Sequence, residues 1–222
     1  TACFSSFAHG SNDVANAVKP DDAHCAVSRL LCLENTVAGN VQTVENITNL
    51  AVTGHKYGLN VHLDGARLMN AAIKLGVPAA TVVKSVDTVS LCLSKGLGTP
   101  AGAVLVGPAN FIHRAHRVRK LVGGGMRQIG ILAAAGLYAL EYNVERLVDD
   151  HNNALRLAEG LSKIQLIDVN PDIVQTNMVF MGLPDGAADG LRSYLCDRGI
   201  LLGGGSTQIR LVTHLDVTRD DI

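Results

Sequence analysis

The stretch "GLNVHLDGARLMNAAIKLG" (58–76) constrains the fold more than any other part of the chain. Its first half places Val61 and Leu63 on one face and His62 and Asp64 on the other, the two-residue period of a strand. Its second half carries alanine and leucine at helical spacing and is closed by Gly76 and Pro78, the usual stop for a helix. "TVSLCLSKG" (88–96) reads as another strand, ending at Lys95, and "AGAVLVG" (101–107) as a third. The third is apolar throughout, as expected of a strand buried on both faces. Upstream, Val41, Val44, Ile47, Leu50 and Ala51 recur at helical spacing, so 41–57 reads as an amphipathic helix. Strand and helix alternate, which predicts an α/β fold on a mostly parallel sheet.

Beyond "VGGGMRQIG" the pattern changes. A long helix is expected over about 129–163, with Leu132, Gly136, Ala139, Leu140, Val144 and Leu147 at helical spacing. "IVQTNMVFMGL", a helix at "GAADGLRSYLCDRG" and a last strand "QIRLVTHL" then describe a small C-terminal α+β domain. The expected organisation is a larger α/β part over 19–128, and over 129–222 a bridging helix with the small domain. Residues 1–18, "TACFSSFAHGSNDVANAV", fit neither part.

Charge narrows the partners. Nineteen Lys and Arg against 20 Asp and Glu leave no basic excess, which argues against nucleic acid, because phosphate-binding surfaces need clustered cations. The longest uncharged run, 96–113, is interrupted by Pro100 and Pro108 and does not read as a membrane span. Residues 1–18 lack the basic start of a secretory signal. The five cysteines (Cys3, Cys25, Cys32, Cys92, Cys196) show no CxxC, which predicts reduced thiols in the cytoplasm and no metal site.

Asp64 and Lys95 carry the chemistry. Each closes an apolar strand, and open α/β sheets bind ligands at the carboxyl ends of their strands. Each also has a plain structural explanation: Asp64 suits a helix N-cap, and Lys95 an exposed turn. His62, on the same strand face as Asp64, reads as a packed core histidine. One chemistry that uses a lysine and an acid together is that of pyridoxal phosphate, which needs a Schiff-base lysine and a partner for its ring nitrogen.

"KPDDAH", "RLLCLENT", "HLDGARLMNA", "LSKGLGTPAGAVLVG", "RKLVGGGMRQIGILAAAGLYAL" and "IRLVTHLDV" occur in that order along 19–222. Together they resemble the low-specificity threonine aldolases of the β-eliminating lyase family. The resemblance implies the aspartate-aminotransferase-type fold (fold type I), with 19–128 as the second half of the cofactor-binding domain. It implies pyridoxal 5'-phosphate as cofactor and a retro-aldol cleavage of threonine or allo-threonine to glycine and acetaldehyde. In that scheme Lys95 forms the Schiff base, Asp64 pairs with the pyridine nitrogen, and Arg67 lies near the cofactor oxygen and the substrate carboxylate. Arg210 in the last strand clamps that carboxylate. Lys120 and Arg127, flanking "LVGGGM", reach the cofactor phosphate of a neighbouring subunit in a homodimer or homotetramer. Read without the resemblance, Arg210 is a solvated strand charge, and Lys120 and Arg127 belong to a solvated basic turn.

The chain departs from the family pattern at three places. "ENTV" stands where the family has "ENTH", so Val37 replaces a histidine and can neither donate nor accept a proton. The family's first half, with its phosphate-binding Gly–Thr cup and ring-stacking histidine, has no counterpart in the sequence, which predicts weak or absent turnover and an open apolar sheet edge. Finally, "FAHGSNDVANA" resembles the signature of inorganic phosphate transporters, which makes 1–18 a chimeric or gene-model fragment. The other functional classes to set against a lyase are a non-catalytic, pseudoenzyme-like remnant and a transporter fragment.

Overall fold

The computed structural model describes residues 2–5, 14, 18 and 23–222. The stretch that resembles the transporter signature lies almost wholly outside the described residues. The chain packs as two compact units, one of 1–37 with 41–145 and one of 38–40 with 146–222.

The first unit is built on a five-stranded sheet in the order β1-β2-β3-β4-β5. Its elements are β1 (Ala2–Ser5), β2 (Ser28–Glu34), α1 (Val44–Lys56), β3 (Asn60–Asp64), α2 (Leu68–Leu75), α3 (Ala79–Val82), β4 (Thr88–Cys92), β5 (Ala103–Val106), α4 (Ala109–Leu121) and α5 (Gly130–Tyr142). Strands β1 to β4 run parallel, and β5 returns antiparallel to β4. The sheet is therefore mostly parallel, as its alternating pattern predicts.

Two chemically distinct faces arise from the strand period. Leu31 and Leu33 of β2, Val61 and Leu63 of β3, and Val89 and Leu91 of β4 are buried on one face. Helix α1 lies on this face and buries Ile47, Leu50, Ala51 and Gly54. Gly54 is required there, because a β-carbon would come within 3.1 Å of Leu31 Cδ2 and 3.2 Å of Val61 Cγ2. The helix starts where Thr43 Oγ1 accepts the amide of Asn46 (3.1 Å), one of the groups a helix start leaves unpaired. The opposite face carries Cys32, Glu34, His62, Asp64, Thr88 and Ser90, and its strand centre is half-buried.

Two expectations fail here. "AGAVLVG" does not form a strand buried on both faces: all residues of β5 are exposed. It pairs with β4 as the return of a hairpin and forms one edge of the described sheet, so an apolar run is left without cover on its far side. The long helix over 129–163 is two helices. It breaks after Tyr142, where Asn143 Nδ2 donates to Leu97 O (2.8 Å) and anchors the chain to the loop after β4.

The second unit contains α6 (Leu147–Leu161), β6 (Met178–Gly182), α7 (Ala187–Cys196) and β7 (Gln208–Val212). Strands β6 and β7 form an antiparallel pair, and Ala154 and Ala158 of α6 pack with Val179 of β6. Residues 38–40 join this unit. Thr176 Oγ1 donates to Gly39 O (2.6 Å), and a β-carbon on Gly39 would lie 2.8 Å from Met178 Cβ. The small α+β architecture read from the sequence is thus present. Among the described residues, no helix is long and apolar enough to cross a membrane.

Candidate active site

Three parallel strands end together. Glu34, Asp64 and Ser90 are register partners across β2, β3 and β4, so their side chains share a face at the carboxyl edge of the sheet. The Asp64 backbone is held from both sides. Its carbonyl accepts the Asn35 amide (3.0 Å), and the next amide, that of Gly65, donates to Ser90 O (2.8 Å). A β-carbon at position 65 would lie 2.9 Å from Ser90 O, so only glycine lets the chain turn this close to β4.

The carboxylate of Asp64 is exposed, and its Oδ1 accepts the amide of Ala66 (3.0 Å). This is an Asx turn ahead of α2. The N-cap of α2 is Arg67, so Asp64 does not fill the capping position that its sequence context allows. Lys95 stands three residues beyond β4, exposed, with its carbonyl accepting the Gly98 amide (2.8 Å). Leu97 and Thr99 beside it are buried, which fixes the loop while leaving the amine outside.

Glu34 reports the convergence of these groups. Burial raises its pKa above the ordinary glutamate value, and the negative charge of Asp64 raises it further. The positive charges of Arg67 and Lys95 pull it down. A single carboxyl therefore feels Asp64, Arg67 and Lys95 together. The structure brings these three predicted residues into one cluster. Glu34 is the residue that the sequence reading missed, although it closes "RLLCLE" just as Asp64 closes "VHLD".

His62 lies one step back along the same face, half-buried, with Nδ1 2.8 Å from Thr88 Oγ1. Burial lowers its pKa, and the Asp64 charge works against that shift. Such a histidine is packed and neutral, in keeping with its core reading.

The remaining predicted residues lie elsewhere. Lys120 near the end of α4 and Arg127 beyond the 123–125 glycine turn are both exposed. Gly125 has φ +97, and a β-carbon there would approach Lys120 Cδ to 3.3 Å. Among the described residues, neither cation is bonded to Asp64 or Lys95. Arg210 is exposed on β7 of the second unit, opposite Phe180. Val37 is half-buried where the chain passes from the first unit to residues 38–40 of the second.

Comparison with known proteins agrees with the cluster. The profile of the family described as "Beta-eliminating lyase" matches residues 9–183. That match starts before residue 18, and none of the comparisons supports the transporter resemblance. Low-specificity L-threonine aldolase 1 of Arabidopsis thaliana is 48% identical over 202 residues, covering 88% of this chain and 56% of that protein. Threonine aldolase of Leishmania major superposes with a TM-score of 0.73 at 16% identity, covering 96% of this chain and 64% of that one. SPT, solved with PLP as its internal aldimine, superposes with a TM-score of 0.67 at 16% identity, covering 96% of this chain and 56% of that one. The chain spans less than two thirds of the length of these curated relatives. Its fold is the α/β fold of the PLP-dependent fold type I proteins. By the extent of the family match and the identity to its relatives, the chain belongs to the β-eliminating lyase family.

Proposed function

We propose that this chain carries the lysine-bearing half of a pyridoxal-phosphate-dependent carbon–carbon lyase of the threonine aldolase type, cleaving threonine or allo-threonine to glycine and acetaldehyde. The observation that carries this reading is the gathering of Asp64, Arg67 and Lys95 at one sheet edge, within electrostatic reach of Glu34. The donor set fits the cofactor: an exposed amine for its aldehyde, an exposed carboxylate for its ring nitrogen and a guanidinium for an anion.

When bound, pyridoxal phosphate supplies the electron sink for the pair left at the substrate Cα. The protein's work is orientation and charge. Asp64, fixed through Asn35, Ala66 and Ser90, presents a carboxylate that keeps a proton on the pyridine nitrogen. Lys95 takes and returns the amino group from a loop anchored by buried Leu97 and Thr99. Arg67 and Arg210 bind the substrate carboxylate and so set which Cα bond breaks. Val37 supplies no proton acceptor to the β-hydroxyl.

In this reading Lys120 and Arg127 serve the phosphate of a neighbouring copy, so the working protein is a homodimer or homotetramer acting on a small amino acid. Glycines beside these cations suit an anion site. The reducing cytoplasm fits the free thiols of Cys25, Cys32, Cys92 and Cys196. Full-length protein given pyridoxal phosphate and L-threonine should release glycine and acetaldehyde, and Lys95→Ala should reduce release to background. Undiminished release by Lys95→Ala would contradict the assignment.

A further inference from the structure

The roles above leave out Glu34, the most informative group at the site. Glu34 and Asp64 end adjacent parallel strands in register, with their backbones about 4.8 Å apart and their side chains on one face. Each is held in place. Glu34 O accepts Gln42 Nε2 (3.1 Å), and Gln42 is itself clamped by Asn35, whose Oδ1 accepts the Gln42 amide and whose Nδ2 donates to Gln42 O, both at 3.1 Å. Asn35 is fully buried, and its amide donates to Asp64 O (3.0 Å). One buried side chain and its amide thus fix both acid-bearing strand ends.

The two acids differ in surroundings. Glu34 is half-buried, whereas Asp64 is exposed and accepts the Ala66 amide, a bond that favours its ionised form. Two carboxyls this close do not both ionise at their ordinary pH, and the more buried one keeps the proton. The charges facing Glu34 are Asp64 on β3, Arg67 after β3 and Lys95 after β4. The last two moderate the effect without removing it.

We propose that Glu34 and Asp64 form a carboxyl pair sharing one proton, in which Glu34 is a positioning residue that acts through Asp64 to set the charge this edge presents to a bound ring. The identity of the ring rests on the function proposed above; the pair itself rests on strand register and burial. With Glu34 protonated, the edge presents the single charge of Asp64. When Glu34 loses its proton to solvent, the edge carries two negative charges, and both Lys95 and a bound pyridine nitrogen hold their protons more tightly.

The test is carboxyl-carbon NMR titration of the full chain without cofactor, comparing wild type, Glu34→Gln, Glu34→Asp and Asp64→Asn. In wild type the Asp64 resonance should show two steps, the upper one coinciding with the Glu34 midpoint. Glu34→Gln should remove that upper step, and Glu34→Asp should keep it at a shifted pH. Asp64→Asn should lower the Glu34 midpoint, because a like charge is lost. A single-step Asp64 curve in wild type, or a Glu34 midpoint unmoved by Asp64→Asn, would overturn the pair. Adding pyridoxal phosphate and following its absorbance against pH reads the second half of the proposal. The wild-type profile should contain the Glu34 step and the Glu34→Gln profile should not; superimposable profiles would overturn the positioning role. Failure of cofactor to attach at Lys95 would count against the proposed function, while the NMR result would stand on its own.

Discussion

Two apolar regions of the first unit behave in opposite ways. In β2 to β4 the apolar residues face α1 and vanish from solvent, with Val61 and Leu63 both at 0% exposure. From β5 through α5 the chain is just as apolar but open: Val106 is 52% exposed, Leu121 85% and Ile131 79%. Hydrophobicity along a sequence marks what prefers cover. Cover itself depends on which neighbours arrive, and α1 arrives for one region only. The acid-bearing strand ends belong to the covered region, where packing and backbone hydrogen bonds hold them within small tolerances.

The sharpest way to break this comparison is a pair of truncations. Leu63→Ala removes a fully buried side chain between α1 and the sheet and should cost about 2–5 kcal/mol in denaturant unfolding. A loss under ~1 kcal/mol would show that the covered region is not a packed core.

The pH dependence separates the two sheet faces next. His62 is held below the ordinary histidine value by burial, so its folded pKa lies under its unfolded one. The stability tied to neutral His62 is complete above the unfolded value of about 6.5 and is lost as pH falls toward the folded pKa. Glu34 has the opposite sign: its folded pKa is raised, so its share is present at low pH and lost as pH rises through that value. Unfolding followed between pH 7 and pH 5 should show a loss that His62→Gln flattens. An unchanged slope in that variant would remove His62 from the account.

The smallest effect belongs to the open region. Leu121→Ser at the exposed end of α4 should change stability by no more than ~0.5 kcal/mol, because nothing packs on the side chain. A loss comparable to that of Leu63→Ala would erase the contrast.

Much of this was legible in the residues. The period of "VHLD" and the helical spacing of 41–57 placed β3 and α1, because each element meets its own partner within a few dozen residues. "AGAVLVG" misled because an apolar run says nothing about whether a second layer covers it. The expected helix over 129–163 missed the break after Tyr142, since its anchor, Leu97 O, lies 46 residues away in the chain. At the site, Asp64 and Lys95 stood out by closing apolar strands. Glu34 does the same, yet its meaning comes from register with Asp64, which no local pattern contains.

The central claim is that Lys95 at this edge is the residue that takes pyridoxal phosphate. Incubating the protein with the cofactor, reducing with borohydride and mapping the modified peptide tests it most directly. The account predicts a single stable adduct on Lys95, reduced in yield by Asp64→Asn and absent in Lys95→Ala. An adduct on Lys120 or another lysine, or none on Lys95, would contradict it.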